Sequence, residues 1–72
     1  MQLKEFVKEK RRLANLIQSD LAEKAGVGLR FVREMEQGKE TLRMDKVNQV
    51  LKLFGYELGP VKMTRDFIIN EP

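Results

Sequence analysis

Between Gln18 and Gly38 two short apolar-periodic segments meet at a glycine with almost no chain to spare, which constrains the fold more than any other feature of the sequence. In the first segment Leu21, Ala22 and Ala25 recur at spacings of one, three and four, the apolar stripe of a helix of about two turns. Gly26 follows the last periodic residue and suits the left-handed conformation that closes a helix, with Val27 placed to enter the gap beyond it. A second segment starts at once, with Phe31, Val32 and Met35 on its inner face and Leu29, Arg30, Arg33 and Glu34 directed away from it; Gly38 is the next stop signal.

Two helices of this size joined by three or four residues that include glycine form the helix-turn-helix arrangement. In order and spacing, Gln18, Leu21-Ala22, Ala25-Gly26-Val27, Val32 and Glu36-x-Gly38 resemble the helix-turn-helix of the Xre family, the class of phage Cro and repressor proteins. From Arg11 to Leu58, with Thr41-Leu-Arg-Met-Asp45 and Leu53-Phe-Gly-Tyr-Glu-Leu58 included, the chain more narrowly resembles HipB-like antitoxin regulators. Two positions depart from the family pattern. Ile17 and Gly28 stand where the family usually has Thr or Ser at a helix N-cap. Glycine is acceptable there, but isoleucine has no acceptor for the free amides of the first turn, a deficit of about 0.5 to 2 kcal/mol. Ser19 is an alternative cap slightly later in the chain.

The 72 residues suffice for one small domain of modest stability. With no cysteine and no histidine, neither a disulfide nor an ordinary zinc site can reinforce it, so oligomerisation is the common route left. A hydrophobic fraction of 42% and a charged fraction of 35% are those of a globular protein. No apolar run approaches the roughly 20 residues of a membrane span, and the first residues lack the apolar centre of a signal peptide; a cytoplasmic, nucleoid-associated location is expected. Enzymatic chemistry has little to work with. There is one serine, Asp20, Asp45 and Asp66 are scattered, and no glycine-rich phosphate loop is present, so neither catalysis nor a cofactor is expected.

A net charge of +3 supports nucleic-acid binding weakly, and its distribution says more. Lys4, Lys8, Lys10, Arg11 and Arg12 crowd the first helix, where a solvated face explains them equally well. Arg30, Arg33, Lys39 and Arg43 fall in or just after the second motif helix.

Along the chain, residues 3–14 read as the first helix, with Leu3, Phe6, Val7, Lys10 and Leu13 on the inner stripe, Ala14 beside it, and Leu16 and Ile17 entering the core as the chain reverses. After Gly38 a loop carries Leu42 inward, and residues 44–54 form the last helix, marked by Met44, Val47, Val50, Leu51 and Phe54, with Asp45 near its start and Gly55 at its end. Tyr56 to Met63 alternates and is expected to be extended, with Gly59-Pro60 either a hairpin turn or a bend in one strand. The tail, residues 64–72, holds the apolar run Phe67-Ile-Ile69, which fits a segment tucked onto the domain, ordered by a partner, or flexible.

The expected fold class is thus all-α, implied by the resemblance to be a four-helix lambda-repressor-like DNA-binding domain over residues 1–55, followed by a strand-like dimerisation segment over 56–63. The resemblance also implies a pair between Arg11 and Glu36 that ties the first helix to the end of the recognition helix, and a homodimer on a palindromic operator. In that architecture Leu29, Arg30, Arg33 and Glu34 approach base edges, while Gln18, Lys39 and Arg43 meet the sugar-phosphate backbone; Arg43 has a competing place at the start of the last helix. Tyr56, Leu58, Val61 and Met63 are the expected dimer contacts, paired as strands about a two-fold axis, with an arm packed on its own core as the alternative. The HipB-like resemblance further implies an antitoxin that binds a HipA-like toxin and represses its own promoter. The alternatives are a stand-alone or phage Xre-type regulator, or an interaction module on the same scaffold that no longer reads DNA.

Overall fold

The computed structural model describes residues 1–63 and contains four helices: α1 (Leu3–Leu13), α2 (Gln18–Ala25), α3 (Leu29–Glu36) and α4 (Met44–Leu53). Expectations for the tail, residues 64–72, lie outside the described residues.

All four helices end in the same way. One residue after α2 and two after the others, the chain takes a left-handed conformation: Asn15 (φ 58°), Gly26 (φ 74°), Gly38 (φ 87°) and Gly55 (φ 85°). The next amide then reaches back five residues, Leu16 to Arg11, Val27 to Ala22, Lys39 to Glu34 and Tyr56 to Leu51, at 3.0 to 3.1 Å. This is the double-bonded C-terminal cap that satisfies the last carbonyls while reversing the chain, and glycine or asparagine takes it at least cost. At Gly38 a second constraint applies, because a Cβ there would lie 2.9 Å from Cδ of Lys4, whose stem runs over the glycine.

The helices enclose one core of Val7, Leu21, Ala22, Val32, Met35, Val47, Val50 and Leu51, ringed by half-buried residues that include Leu3, Phe6, Val27, Phe31, Leu42, Phe54 and Leu58. Every helix contributes, so none can bury its apolar stripe without the others.

Several side chains depart from the expected stripes. Leu13 is 72% exposed and Ala14 is exposed, at the end of α1. Ile17 is 63% exposed rather than in the core. It is the N-cap of α2, so Ser19 lies inside the helix and is not the cap; in place of a capping side chain, the Asp20 carboxylate accepts from the Ile17 amide at 3.2 Å. Met44 opens α4 and is 68% exposed. Lys10 is half-buried and holds its ammonium 5.5 Å from the Phe6 ring centre and 5.2 Å from that of Tyr56.

The expected strand over residues 56–63 is not formed, and no strand is present among the described residues. Its first half packs on its own core instead. Tyr56 meets Phe6 edge to face with ring centres 4.8 Å apart, and the Leu58 amide donates to Asn48 Oδ1 at 2.7 Å, which seats the half-buried Leu58 beside α4. A strand needs a neighbour to accept its backbone bonds, and the described residues offer none; side-chain docking stands in place of a ladder. Tyr56 and Leu58 are therefore engaged within the monomer, whereas Val61 and Met63 remain 86% and 61% exposed.

Candidate nucleic-acid interface

Helix α3 is held from behind. Val32 and Met35 are 0% and 1% exposed, so the helix cannot roll without breaking the core, and this fixes which residues face out. Glu36 at its end is the one buried charged residue among those described, at 4% exposure. Its carboxylate gathers three helices. Arg11 from α1 donates Nε to Oε2 at 2.7 Å and Nη2 to Oε1 at 2.9 Å, a two-pronged pair, and Gln18 from the start of α2 donates Nε2 to Oε1 at 3.2 Å. The remaining Arg11 nitrogen, Nη1, donates to the Leu16 carbonyl at 2.9 Å, so the same guanidinium also secures the turn between α1 and α2.

Burial alone would push the Glu36 carboxyl up, but hydrogen bonds from Arg11 and Gln18, with the charges of Arg11 and Lys8, outweigh it and hold the group below the usual carboxylate range. The hydrogen bond to Glu36 raises Arg11 in turn, against the opposing effect of burial. The two prongs place the charged forms of both groups in contact.

The residues expected at base edges fall into two kinds. The Arg30 side chain is 91% exposed and Arg33 is exposed, with no ion pair to Arg33 among the described residues. Leu29, by contrast, is half-buried against the core as the first residue of α3, so it presents only part of its surface. Glu34 is also partly covered, its side chain 25% exposed, and its Oε2 receives Lys39 Nζ at 3.2 Å and lies 3.5 Å from Arg30 Nε.

The residues expected at the sugar-phosphate backbone are more committed to the protein than anticipated. The Gln18 amide nitrogen is engaged with Glu36. Arg43 occupies the N-cap of α4 and grips Asp45 with both prongs, Nε to Oδ1 at 3.1 Å and Nη2 to Oδ2 at 2.7 Å. That hydrogen bond is the chief reason the exposed Asp45 carboxyl lies below its ordinary value. Lys39 remains 45% exposed beside Glu34. Among the first-helix cations, for which a solvated face was an equal explanation, Lys4 is carried across Gly38 at the end of α3.

Among the described residues no group of His, Cys, Asp or Glu is disposed to hold a metal ion, and no helix is long and apolar enough to cross a membrane.

Over 45 residues the chain is 51% identical to a protein of Sinorhizobium fredii named as an uncharacterized HTH-type transcriptional regulator, y4mF. The matched stretch covers 62% of this chain and 59% of that relative, so the chain spans less than two thirds of the relative's length. No solved structure matches the chain. The sequence model of the family described as Helix-turn-helix matches residues 7–61, which takes in the buried Arg11–Glu36 pair, both motif helices and the segment that docks Leu58; the chain belongs to the helix-turn-helix family.

Proposed function

We propose that this chain is a sequence-specific DNA-binding transcriptional regulator whose α3 enters the major groove. The observation that carries the reading is the two-sidedness of α3: an inner face locked by Val32, Met35 and Glu36, and an outer face that offers Arg30 and Arg33 to solvent. Arginine suits this task because two guanidinium nitrogens can donate to guanine O6 and N7 at once. Lys39, Lys4 and the amides at the start of α2 are suited to the sugar-phosphate backbone, which positions the protein without reading sequence. Family membership and the name of the Sinorhizobium relative support the same reading.

The test is fluorescence anisotropy on duplexes carrying the best site selected from a random-sequence pool, against a scrambled duplex. Arg33→Ala is expected to cost about 1 to 3 kcal/mol on the selected site and to relax preference at one position. Unchanged affinity and unchanged preference in both Arg33→Ala and Arg30→Ala would remove the two arginines from base reading. An interaction module that no longer reads DNA would show no preference between the duplexes.

The finer reading is an antitoxin of HipB type that represses its own promoter and binds a HipA-like toxin. It rests on the resemblance between Arg11 and Leu58, and co-purification with the product of a neighbouring gene is its direct test. A homodimer on a palindrome belongs to the same reading. The exposed apolar side chains Met44, Val61 and Met63 favour it as a self-association surface, whereas Leu58 already packs on the monomer core and Tyr56, 48% exposed, rests against Phe6. Val61→Lys together with Met63→Lys in the full chain should shift the mass measured by light scattering toward the monomer and weaken binding to a full palindrome. A variant that keeps the dimer mass would exclude this surface.

A further inference from the structure

We propose that Glu34 is a specificity-determining positioning residue, which restrains Arg30 and Lys39 and withholds their charge from the DNA backbone; this rests on the DNA-binding reading above. Its geometry is unusual for a surface carboxylate. A single oxygen, Oε2, lies 3.2 Å from Lys39 Nζ and 3.5 Å from Arg30 Nε, so two cations share one acceptor. Three-quarters of the Glu34 side chain is covered, which fixes the carboxylate in place, while Arg30 is almost wholly exposed. The contact to Arg30 runs through Nε. Neither Nη group is hydrogen-bonded among the described residues, which leaves the pair needed for two parallel bonds to one guanine.

Such a pair contributes little to the stability of the free protein, because water and salt screen it. Its effect lies in the complex. Non-specific affinity comes from neutralising phosphates and releasing their counterions, in proportion to the cations that can reach the backbone. A carboxylate between Arg30 and Lys39 lowers that number and itself repels phosphate, so binding to the wrong sequence is penalised. At the right sequence the cost is offset, because Arg30 arrives already oriented and loses less side-chain freedom on meeting its base. Removal of water from the groove strengthens the Arg30–Glu34 attraction at that point.

Two variants separate charge from positioning. In Glu34→Gln, affinity for the scrambled duplex should rise roughly tenfold at 0.1 M salt, with a salt dependence steeper by about one unit, and the ratio of selected to scrambled affinity should fall. Glu34→Asp keeps the charge but is one methylene too short to reach both cations. It should raise affinity for the scrambled duplex less than Glu34→Gln does, because the repelling charge stays, yet lose preference at the same base pair that Arg30→Ala relaxes. Circular dichroism on each variant checks that the helices are intact. A Glu34→Gln protein with an unchanged salt slope and ratio overturns the proposal, and so does a Glu34→Asp protein with wild-type preference at the Arg30 position. Wild-type protein that binds neither duplex, or binds both equally, overturns the regulator reading itself, a result visible before either variant is made.

Discussion

Arg11→Ala is expected to lower the unfolding free energy by about 3 kcal/mol, the low end of the range for breaking a buried ion pair. The low end applies because the Arg11 side chain keeps 13% exposure, whereas that of Glu36 keeps 2%. The alanine variant leaves the buried carboxylate with Gln18 as its remaining donor and strips the Leu16 carbonyl of its side-chain partner. For a domain whose total stability is about 4 to 11 kcal/mol, such a loss leaves much of the protein unfolded in mild urea. Replacing both partners by methionine should recover a good part of the loss, since no charge then stays buried alone. A urea midpoint that does not move in Arg11→Ala would mean that the pair is not closed in solution.

The same pair sets a pH dependence. The folded-state pKa of Glu36 lies below its ordinary unfolded value of about 4.3. Its contribution is therefore complete above that value and is lost as pH falls through the lower, folded-state one. Acid should destabilise the wild type more steeply below about pH 4 than it does Glu36→Gln, which no longer carries this titrating group. Equal slopes for the two proteins in acid would exclude the linkage.

Leu21→Ala is expected to cost about 2 to 5 kcal/mol, from lost burial together with the cavity left behind. Leu21 is 0% exposed, on the helix that packs against both α3 and α4, so the void would open at the centre of the domain. Leu13→Ala, on a leucine that the helical pattern of the first helix ranks as equally apolar, should change stability by no more than about 0.5 kcal/mol. Thermal denaturation of the two variants side by side checks the contrast. Similar losses in both would mean that Leu13 is covered in solution.

That contrast also marks how far the sequence could be read. Periodicity located all four helices and the inner faces of α2 and α3, because apolar spacing and helix geometry share one period. Gly26, Gly38 and Gly55 marked three of the helix ends correctly, since the left-handed conformation that reverses the chain is costly for residues with a Cβ. The outward direction of Arg30 and Arg33 followed from the same register.

What a helix face meets is another matter, and periodicity is silent on it. Leu13 and Ile17 carry the apolar signal but lie exposed at the ends of α1 and α2. Alternation from Tyr56 to Met63 suggested a strand, yet a strand is a relation between two segments; within this chain Tyr56 found the Phe6 ring and Leu58 found Asn48 instead. Charge pairing is not settled by spacing either. Glu34 with Lys39 and Arg43 with Asp45 are neighbours in the chain, but only side-chain geometry decides which cation is held by the protein and which is left for a ligand. The sequence by itself determined the four helices, their boundaries to within a residue and the buried positions of α2 and α3, because those depend on residues within a few positions of one another. Tertiary structure alone decided that Gln18 joins the Arg11–Glu36 pair and that Tyr56 and Leu58 dock beside Phe6 and Asn48, because each depends on where a side chain meets its partner in space.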